Sequence, residues 1–567
     1  METTNLSKIR RDKMLNTINE IKKNIFDEET LNNLSMIENE LTKKKYGLIW
    51  EEHEERVDKE LETKIPTFED VKAKEIIYNY NDKFNFLLEG DNLHSLYLLE
   101  KTHREKIDII YIDPPYNTGN NDFSYGDKII DANDEFKHSK WLSFMNRRLT
   151  IANKLLSKNG VIFISIDDNE QAQLKLLCDD IFGSENFIGC LPRRTKSSGK
   201  TTNNVSSNHD YVLIYSKDIT NASIIGLNHT DEGFKYKDEY EKVRGKYKLN
   251  QTLDYDSLSY SPSLDYPINI NGETLYPGGD IDKYNLRKNG QYNRADWAWR
   301  WSKDLYDFGL RNGFIVLKKG KNGKSRIYTK TYLNAKIGKK NNQYFIDIKN
   351  RTKPLSSLEF VESKYSNDNA KKDLLKIFKT SSFDYPKPIE LIKTLLKIYN
   401  NKNAIILDFF AGSGTTAQAV TELNTEDNGN RKFILCTNNE NKICEEITYN
   451  RIFKTTNSNL KYYKCTYIPR MNTETENLHN NLLINIKNLI QLENGIEIDD
   501  SKIKVYLNED ELDKFSANEK ELEICDKVYI SSDILLTSRQ EKIFEDNNIE
   551  VYIIPEYYFE DEIMEVL

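Results

Sequence analysis

Asp113-Pro114-Pro115-Tyr116 is the segment of this 567-residue chain whose residue types point most directly to chemistry. Two consecutive prolines fix φ and remove two N–H donors. The rigid turn that remains offers acceptors. It suits a substrate that is itself a donor, such as the exocyclic amine of an aromatic ring. That nitrogen is a weak nucleophile because its lone pair is delocalised. With one N–H accepted by the Asp113 carboxylate and one by the Pro114 carbonyl, it could pyramidalise and aim its lone pair at an electrophilic carbon. Tyr116 could stack on the ring. The work would be positioning and electrostatics, without a covalent intermediate. The alternative is a plain strand-terminating turn.

A second segment, Leu407-Asp408-Phe409-Phe410-Ala411-Gly412-Ser413-Gly414-Thr415-Thr416, reads as a buried strand running through a glycine turn into a helix. Gly412 and Gly414 would let a ligand approach the backbone closely. The third glycine of the dinucleotide fingerprint is missing, which disfavours NAD. Glu440 lies just past the next apolar run, where an acid can accept both hydroxyls of a ribose. A solvated acidic turn is the competing reading. Asp167, Asp168 and Glu170 could suggest a metal, but a polar turn at a strand end is preferred.

The elements that must carry these segments alternate in an α/β manner from Asn85 onward. Ile107–Ile112, Val161–Ile166, Tyr211–Tyr215, Ala404–Phe410 and Phe433–Cys436 read as short buried strands. Helices are expected over Leu93–Lys101, Trp141–Ser157 and Ile389–Ile398. Both chemistry-bearing segments follow strands, and open α/β sheets bind ligands off the carboxyl ends of their strands. Before this region the first ~70 residues are expected to be helical, on the stripe Met14, Ile18, Ile21 and Ile25, with Pro66 ending them. Between Lys217 and Ser382 the alternation lapses, which suggests an inserted domain. Trp297, Trp299 and Trp301 alternate within it. On a strand they would share one face, read as core in preference to a stacking platform. After Arg470 a helix over Leu478–Leu492 and a short α/β tail are expected, with strands near Val528–Ile530 and Val551–Ile554.

Composition narrows the function classes. A length of 567 residues corresponds to three or four domains at about 100–200 residues each. A net charge of −9 argues against a protein that coats nucleic acid, but not against local basic patches. Lys318–Lys340 holds nine Lys or Arg and no acid, whereas Phe544–Leu567 holds eight acids and no Lys or Arg. The six cysteines include no CxxC pair, so neither a zinc ribbon nor a disulfide framework is indicated. No apolar run approaches the ~18 residues of a membrane span, and the start of the chain is polar, so a cytoplasmic location is expected. No GxxxxGK[ST] loop occurs, so the chain should not itself be an ATP-driven motor.

With Asp113-Pro114-Pro115-Tyr116-Asn117-Thr118-Gly119 lying before Phe410-Ala411-Gly412-Ser413-Gly414, the sequence resembles amino-methyltransferases of the permuted (beta) class, and specifically the modification subunit of type III restriction–modification systems. Lys45–Glu51, Leu88–Leu93, Gly160–Glu170, His209–Leu213 and Phe383–Pro388 are similar to that family as well. The resemblance covers most of the chain to about Arg470. It implies a Rossmann-like, mostly parallel S-adenosylmethionine-dependent methyltransferase sheet with an inserted target-recognition domain. The implied domains are a helical region (1–70), the two catalytic halves (71–216 and 383–470), a target-recognition domain (217–382) and an α/β C-terminal domain (471–567). It further implies that Asp113, Pro114, Pro115 and Tyr116 hold a flipped adenine for methylation at N6. The motif Asp408, Phe410, Ala411, Gly412, Ser413, Gly414 and Thr415 would cradle the cofactor, with Glu440 on its ribose. Asp91 and Asn92 would lie near the cofactor adenine, and Lys387 at its amino-acid end. Double-stranded DNA, a second copy of the chain and an ATP-dependent helicase–nuclease subunit are the implied partners. Cytosine N4 as the target, and a non-catalytic specificity subunit, are the alternatives. A base inside a duplex must be rotated out to reach such a site, while basic residues hold the backbone. Arg193, Arg194, Lys196 and Lys200 near the sheet, and Lys318, Lys319, Lys321 and Lys324 in the insert, are the DNA-contact candidates. The acidic tail and the 478–492 helix are candidate docking surfaces.

Overall fold

The computed structural model describes residues 6–554 except 24–26, 43–49, 52, 54, 81, 120–123, 126–127, 130–133, 197–204, 229–232, 320–322, 349–351, 379–385 and 470–474. It divides into two compact units, one of residues 1–224 and 356–567, the other Ile225–Leu355.

The larger unit is built on a nine-stranded sheet. In chain order its strands are β1 (Lys64–Asp70), β2 (Asn85–Glu89), β3 (Ile107–Ile112), β4 (Leu156–Ile166), β5 (Phe187–Arg194), β6 (His209–Ser216), β7 (Ile405–Asp408), β8 (Lys432–Thr437) and β9 (Leu460–Pro469). Their spatial order is β1-β9-β2-β8-β7-β3-β4-β6-β5. From β9 across to β4 every neighbour is parallel. The outer pairs β1–β9, β4–β6 and β6–β5 are antiparallel. The central strands are apolar on both faces, as Ile107, Ile109, Ile110 and Ile112 of β3 illustrate, all fully buried. That is the pattern of parallel strands covered by helices on both sides.

Pro66 does not end an element. It sits inside β1, paired with Tyr467 of β9. β1 is an edge strand, where a missing N–H costs the sheet nothing if it faces outward. Ahead of it lie helices Leu6–Lys22, Glu28–Thr42 and Arg56–Thr63. Of the expected apolar stripe, Ile18 is buried, Met14 and Ile21 are exposed, and Ile25 lies outside the described residues.

Helices α1 (Asn92–His103), α2 (Lys137–Leu155), α3 (Gln171–Cys178), α4 (Ile389–Lys397), α5 (Thr415–Asp427), α6 (Tyr449–Thr455) and α7 (Thr475–Asn494) belong to this unit. Ile486, Leu489, Ile490 and Leu492 of α7 are buried in the main core, and Asn488 donates to the Phe68 carbonyl at 2.6 Å. This stretch of α7 is therefore internal and does not form a docking surface. Beyond it, parallel strands Ile503–Tyr506, Lys527–Ser531 and Glu550–Ile554 form a small sheet, with a second apolar cluster around Leu512, Phe515, Val528 and Phe544. Most of the acidic tail, 555–567, lies outside the described residues.

The smaller unit, Ile225–Leu355, falls within the expected insert. Its three-stranded sheet contains Tyr247–Thr252, Ile315–Lys319 and Ser325–Tyr332. Trp299 is buried among Leu253, Ile268, Tyr306 and Ile327, with Trp301 packed against the same cluster. The Trp299 indole N–H donates to the Tyr266 carbonyl at 2.7 Å. These tryptophans are core. Residues 356–378 belong to the larger unit.

Candidate active site

β3 and β7 are adjacent and parallel, with Ile406 opposite Ile109 and Leu407 opposite Ile110. The Asp113–Tyr116 turn and the Phe410–Gly414 loop therefore leave the same edge of the sheet side by side. β8, which ends before Glu440, flanks β7 on its other side, and β2, which ends before Asp91, comes next. The sequence motifs gather at the carboxyl ends of neighbouring strands.

The Asp113–Tyr116 turn is held from behind. The Trp141 indole N–H donates to the Pro115 carbonyl at 2.8 Å, whereas no described residue donates to that of Pro114. The Tyr116 hydroxyl donates to Asp210 Oδ2 at 3.2 Å. Burial and the Asp113 and Asp210 carboxylates push that hydroxyl well above its usual range, so it stays protonated. Lys387 Nζ lies 2.6 Å from Asp113 Oδ1 and 4.8 Å from the centre of the Tyr116 ring.

Asp210 is anchored by Arg193, whose Nε reaches Asp210 Oδ1 at 2.7 Å and whose second terminal nitrogen pairs with Oδ2. The remaining Arg193 donors satisfy the Tyr365 carbonyl at 2.8 Å and Asn367 Oδ1 at 2.9 Å. Arg193 is 0% exposed. The expectation that it grips DNA is thus corrected: β5 turns its side chain inward, where a bidentate carboxylate pair satisfies the buried charge. Arg194 is half-buried and Lys196 exposed; Lys200 lies outside the described residues.

The glycine loop is equally braced. Gly412 and Gly414 adopt φ of +48° and +75°. A Cβ at Gly414 would come within 3.2 Å of Thr448 Cγ2. The Ala411 N–H donates to the Cys436 carbonyl at 3.1 Å, and the Thr448 hydroxyl to the Gly412 carbonyl at 2.5 Å. Asp408 is buried beneath the loop and accepts from the Phe410 N–H at 3.1 Å and the Thr416 hydroxyl at 2.5 Å. Burial pushes its carboxyl up to about 7. Arg451, also buried, donates to Ser413 Oγ at 3.0 Å, Thr415 Oγ1 at 2.8 Å and Gln418 Oε1 at 2.9 Å. Asp408 and Arg451 thus shape the loop from the protein side. No side chain caps the start of α5, so its first N–H groups, with their partial positive charge, face the loop opening.

Asp91 caps α1, accepting from the Leu93 N–H at 2.8 Å. Asn92 donates to the Phe409 carbonyl at 2.9 Å and accepts from Arg148 Nε at 2.6 Å. Arg148 is buried and forks onto Glu55 at 2.8 and 3.1 Å. Asn92 therefore ties the end of β2 to the glycine loop. Glu440 is exposed, in a short turn of residues 440–442, and no side-chain partner engages it among the described residues. Its neighbour Asn439 instead reaches Glu89 at 3.2 Å. A free carboxylate at the end of β8 and an open glycine loop at the end of β7 fit a nucleoside with a charged amino-acid tail.

Asp167, Asp168 and Glu170 do not converge. Asp167 accepts from the Asn169 N–H at 2.9 Å, Asp168 accepts from the Tyr211 hydroxyl at 2.9 Å, and Glu170 points into the protein. Among the described residues, no group of three or more such side chains is placed to hold a metal.

In the insert, Lys318 and Lys319 end one strand of a hairpin and pair with Arg326 and Ser325 of the next. Lys318, Lys319 and Lys324 are exposed; Lys321 lies outside the described residues.

Sequence reasoning did not assign Arg148, Asp210, Arg451 or Trp141 a role. One signal existed. Trp141, Met145, Arg148 and Ala152 recur at helical spacing, so Arg148 falls on the apolar face of α2, where a charge needs a partner.

The sequence pattern of the DNA methylase family matches residues 107–450, spanning β3 to the start of α6 and so both the turn and the loop. The chain belongs to the DNA methylase family. As such it is a DNA methyltransferase, and S-adenosylmethionine is its methyl donor. The methylase is 33% identical over 477 residues to the EcoPI Mod subunit of a type III restriction–modification enzyme from Escherichia phage P1, covering 76% of this chain and 70% of that one. It is also 33% identical over 392 residues to the type II methyltransferase M.KpnI of Klebsiella pneumoniae, covering 64% of this chain and 83% of that one. Among solved structures, the cytosine-N4-specific PvuII DNA methyltransferase aligns with 74% of this chain and 97% of its own at 11% identity, with a TM-score of 0.31. Type III modification subunits are thus among its relatives, as the resemblance implied. No described helix is long and apolar enough to cross a membrane.

Proposed function

We propose that this methylase transfers the methyl group to N6 of an adenine rotated out of double-stranded DNA, as the modification and recognition subunit of a type III restriction–modification system. The observation that carries the reading is the adjacency of β3 and β7, which sets the acceptor-rich turn beside the glycine loop. The donor supplies an electrophilic methyl carbon on a sulfonium. Phe410–Gly414 and the start of α5 hold its amino-acid part, and Glu440 its ribose. Asp113 Oδ1 and the Pro114 carbonyl accept the two N–H groups of the base, and Tyr116 stacks on it. Entry of the amine draws Asp113 away from Lys387, which keeps its position over the Tyr116 ring. The nitrogen would take the methyl group as the carbon–sulfur bond breaks and a neutral thioether leaves, and the cationic nitrogen would then release one proton toward the Asp113 carboxylate. Asp210 and Arg193 keep Tyr116 from rotating. Extruding the base costs a few kcal/mol, which backbone contacts by exposed lysines of the insert offset. A second copy of the chain and a nuclease-bearing subunit are the proposed partners.

The test is transfer of label from S-adenosylmethionine to DNA. Label in N6-methyladenine, with at least about a hundredfold loss of kcat in Asp113→Ala and unchanged binding of the donor, is the expected result. Label in N4-methylcytosine replaces adenine in the reading. Absence of transfer by the native chain overturns it.

A further inference from the structure

Asn117 follows the catalytic tetrad at φ +57°, a left-handed conformation that costs a non-glycine residue free energy unless its side chain is held. It is buried, and its amide donates to Glu170 Oε1 at 2.5 Å and to the Lys137 carbonyl at 3.2 Å. Glu170, at the start of α3, is itself fully buried. The same Oε1 faces His138 Nδ1 of α2 at 2.7 Å. Glu170 Oε2 and Asn117 Oδ1 are both buried, with no hydrogen-bond partner among the described residues. The Glu170 carboxyl is therefore built into the exit of the Asp113–Tyr116 turn, and nothing in the methyl-transfer scheme above uses it.

We propose that Glu170 is a positioning residue of the methyl-transfer reaction, holding Asn117, and through it the exit of the catalytic turn, with its carboxyl in the neutral form. An ionised carboxylate here would be a buried charge with one oxygen unpaired among the described residues, which burial strongly disfavours. The groups that face it compensate weakly. The Asn117 amide and, after it, Lys137 favour the charged form, and Asp167 opposes it. His138, approached by Gln173 Nε2 at 3.5 Å, is held below its usual range by burial and by Lys137, so it supplies little positive charge. Burial dominates and pushes Glu170 up to about 8. The neutral acid keeps both partners on Oε1. Loss of its proton leaves the Asn117 bond to Oε1 in place but puts charge on the unpaired Oε2, which draws water into the cluster and shifts the exit of the turn. Turnover should therefore hold at neutral pH and fall as the pH rises through about 8.

The inference rests on the methyl-transfer reading, and its test separates the two. The kcat and KM of the native chain, Glu170→Gln, Glu170→Ala and Asn117→Ala are measured from pH 6.5 to 9.5, with donor binding and thermal melting recorded for each. Glutamine mimics the neutral acid, so Glu170→Gln should keep kcat within about threefold at pH 7 and lose the alkaline fall. Glu170→Ala and Asn117→Ala should lower kcat by about tenfold to a hundredfold, the range expected for a turn displaced by up to about 1 Å, with KM for the donor within about twofold. Native kcat in Glu170→Ala, or an alkaline fall that persists in Glu170→Gln, overturns the inference while leaving the methyl-transfer reading intact. No transfer by the native chain overturns the methyl-transfer reading itself.

Discussion

At the scale of residues, the site depends on side chains that never meet the substrate. Tyr116 is aimed by Asp210, which Arg193 holds through both oxygens. Removing only the hydroxyl leaves Asp210 paired with Arg193, so Tyr116→Phe should keep the ring in place and cost kcat about threefold to tenfold. Tyr116→Ala removes the ring and should cost about a hundredfold or more. Single-turnover rates distinguish the two, and equal losses would mean that the hydroxyl and not the ring carries the role. Asp408 gives a second residue-scale expectation, read through pH. Burial pushes its carboxyl up to about 7 in the folded chain, against 3.8 for an exposed aspartate. Below pH 3.8 both states hold the proton. Between 3.8 and 7 the unfolded chain releases it first, so this group's contribution to stability falls as the pH rises and is flat above 7. Asp408→Asn lacks that dependence. Its stability relative to the native chain should increase by about 1–4 kcal/mol between pH 4 and pH 8, measured by urea denaturation; a difference that stays constant with pH would remove burial as the cause.

At the scale of elements, the strands that carry the motifs were legible because parallel strands buried on both faces read as unbroken apolar runs. β3 matches Ile107–Ile112 residue for residue, and β8 extends Phe433–Cys436 by one residue at each end. β9 was not legible. Leu460–Pro469 mixes Lys461, Lys464 and Tyr residues into its run, because Lys461 is buried against Asp70 and Glu75 at 3.0 and 2.8 Å. Such pairing is visible only once the strands are assembled. β5 was missed for the same reason: its arginines read as a DNA-facing patch until Asp210 on β6 is seen opposite Arg193. The glycine loop offers the element-scale test. Gly414 needs a left-handed backbone, which costs a side-chain-bearing residue about 1–2 kcal/mol, and a Cβ there would crowd Thr448 at 3.2 Å. Gly414→Ala should weaken donor binding by about tenfold, read by isothermal titration calorimetry. Gly290 also has a positive φ, +82°, but open space around its missing Cβ, so Gly290→Ala should leave donor binding unchanged.

At the scale of the whole molecule, Ile225–Leu355 form a compact unit of their own. Its boundaries were only roughly readable, because residues 356–378 share the insert's polar composition yet fold with the larger unit, where the Tyr365 carbonyl accepts from Arg193. With a net charge of −9, a DNA-binding surface must be concentrated, and we propose the exposed Lys318, Lys319 and Lys324 at the hairpin of the smaller unit as part of one. Lysines that meet phosphates add affinity without reading sequence, and each neutralised phosphate steepens the salt dependence by about 0.9 in log–log slope. Replacing all three with alanine should therefore lower the slope by up to about 2.7 and weaken binding alike to cognate and unrelated duplexes. The set of methylated sites should stay the same. Exchanging the whole of 225–355 for the corresponding unit of a relative should do the reverse, changing which sequences are methylated while kcat on the new site stays near the native value. Fluorescence anisotropy over a salt series and methylome sequencing read the two outcomes. An unchanged slope in the triple variant would free these lysines from phosphate contact, and an unchanged methylome after the exchange would take target recognition away from this unit altogether.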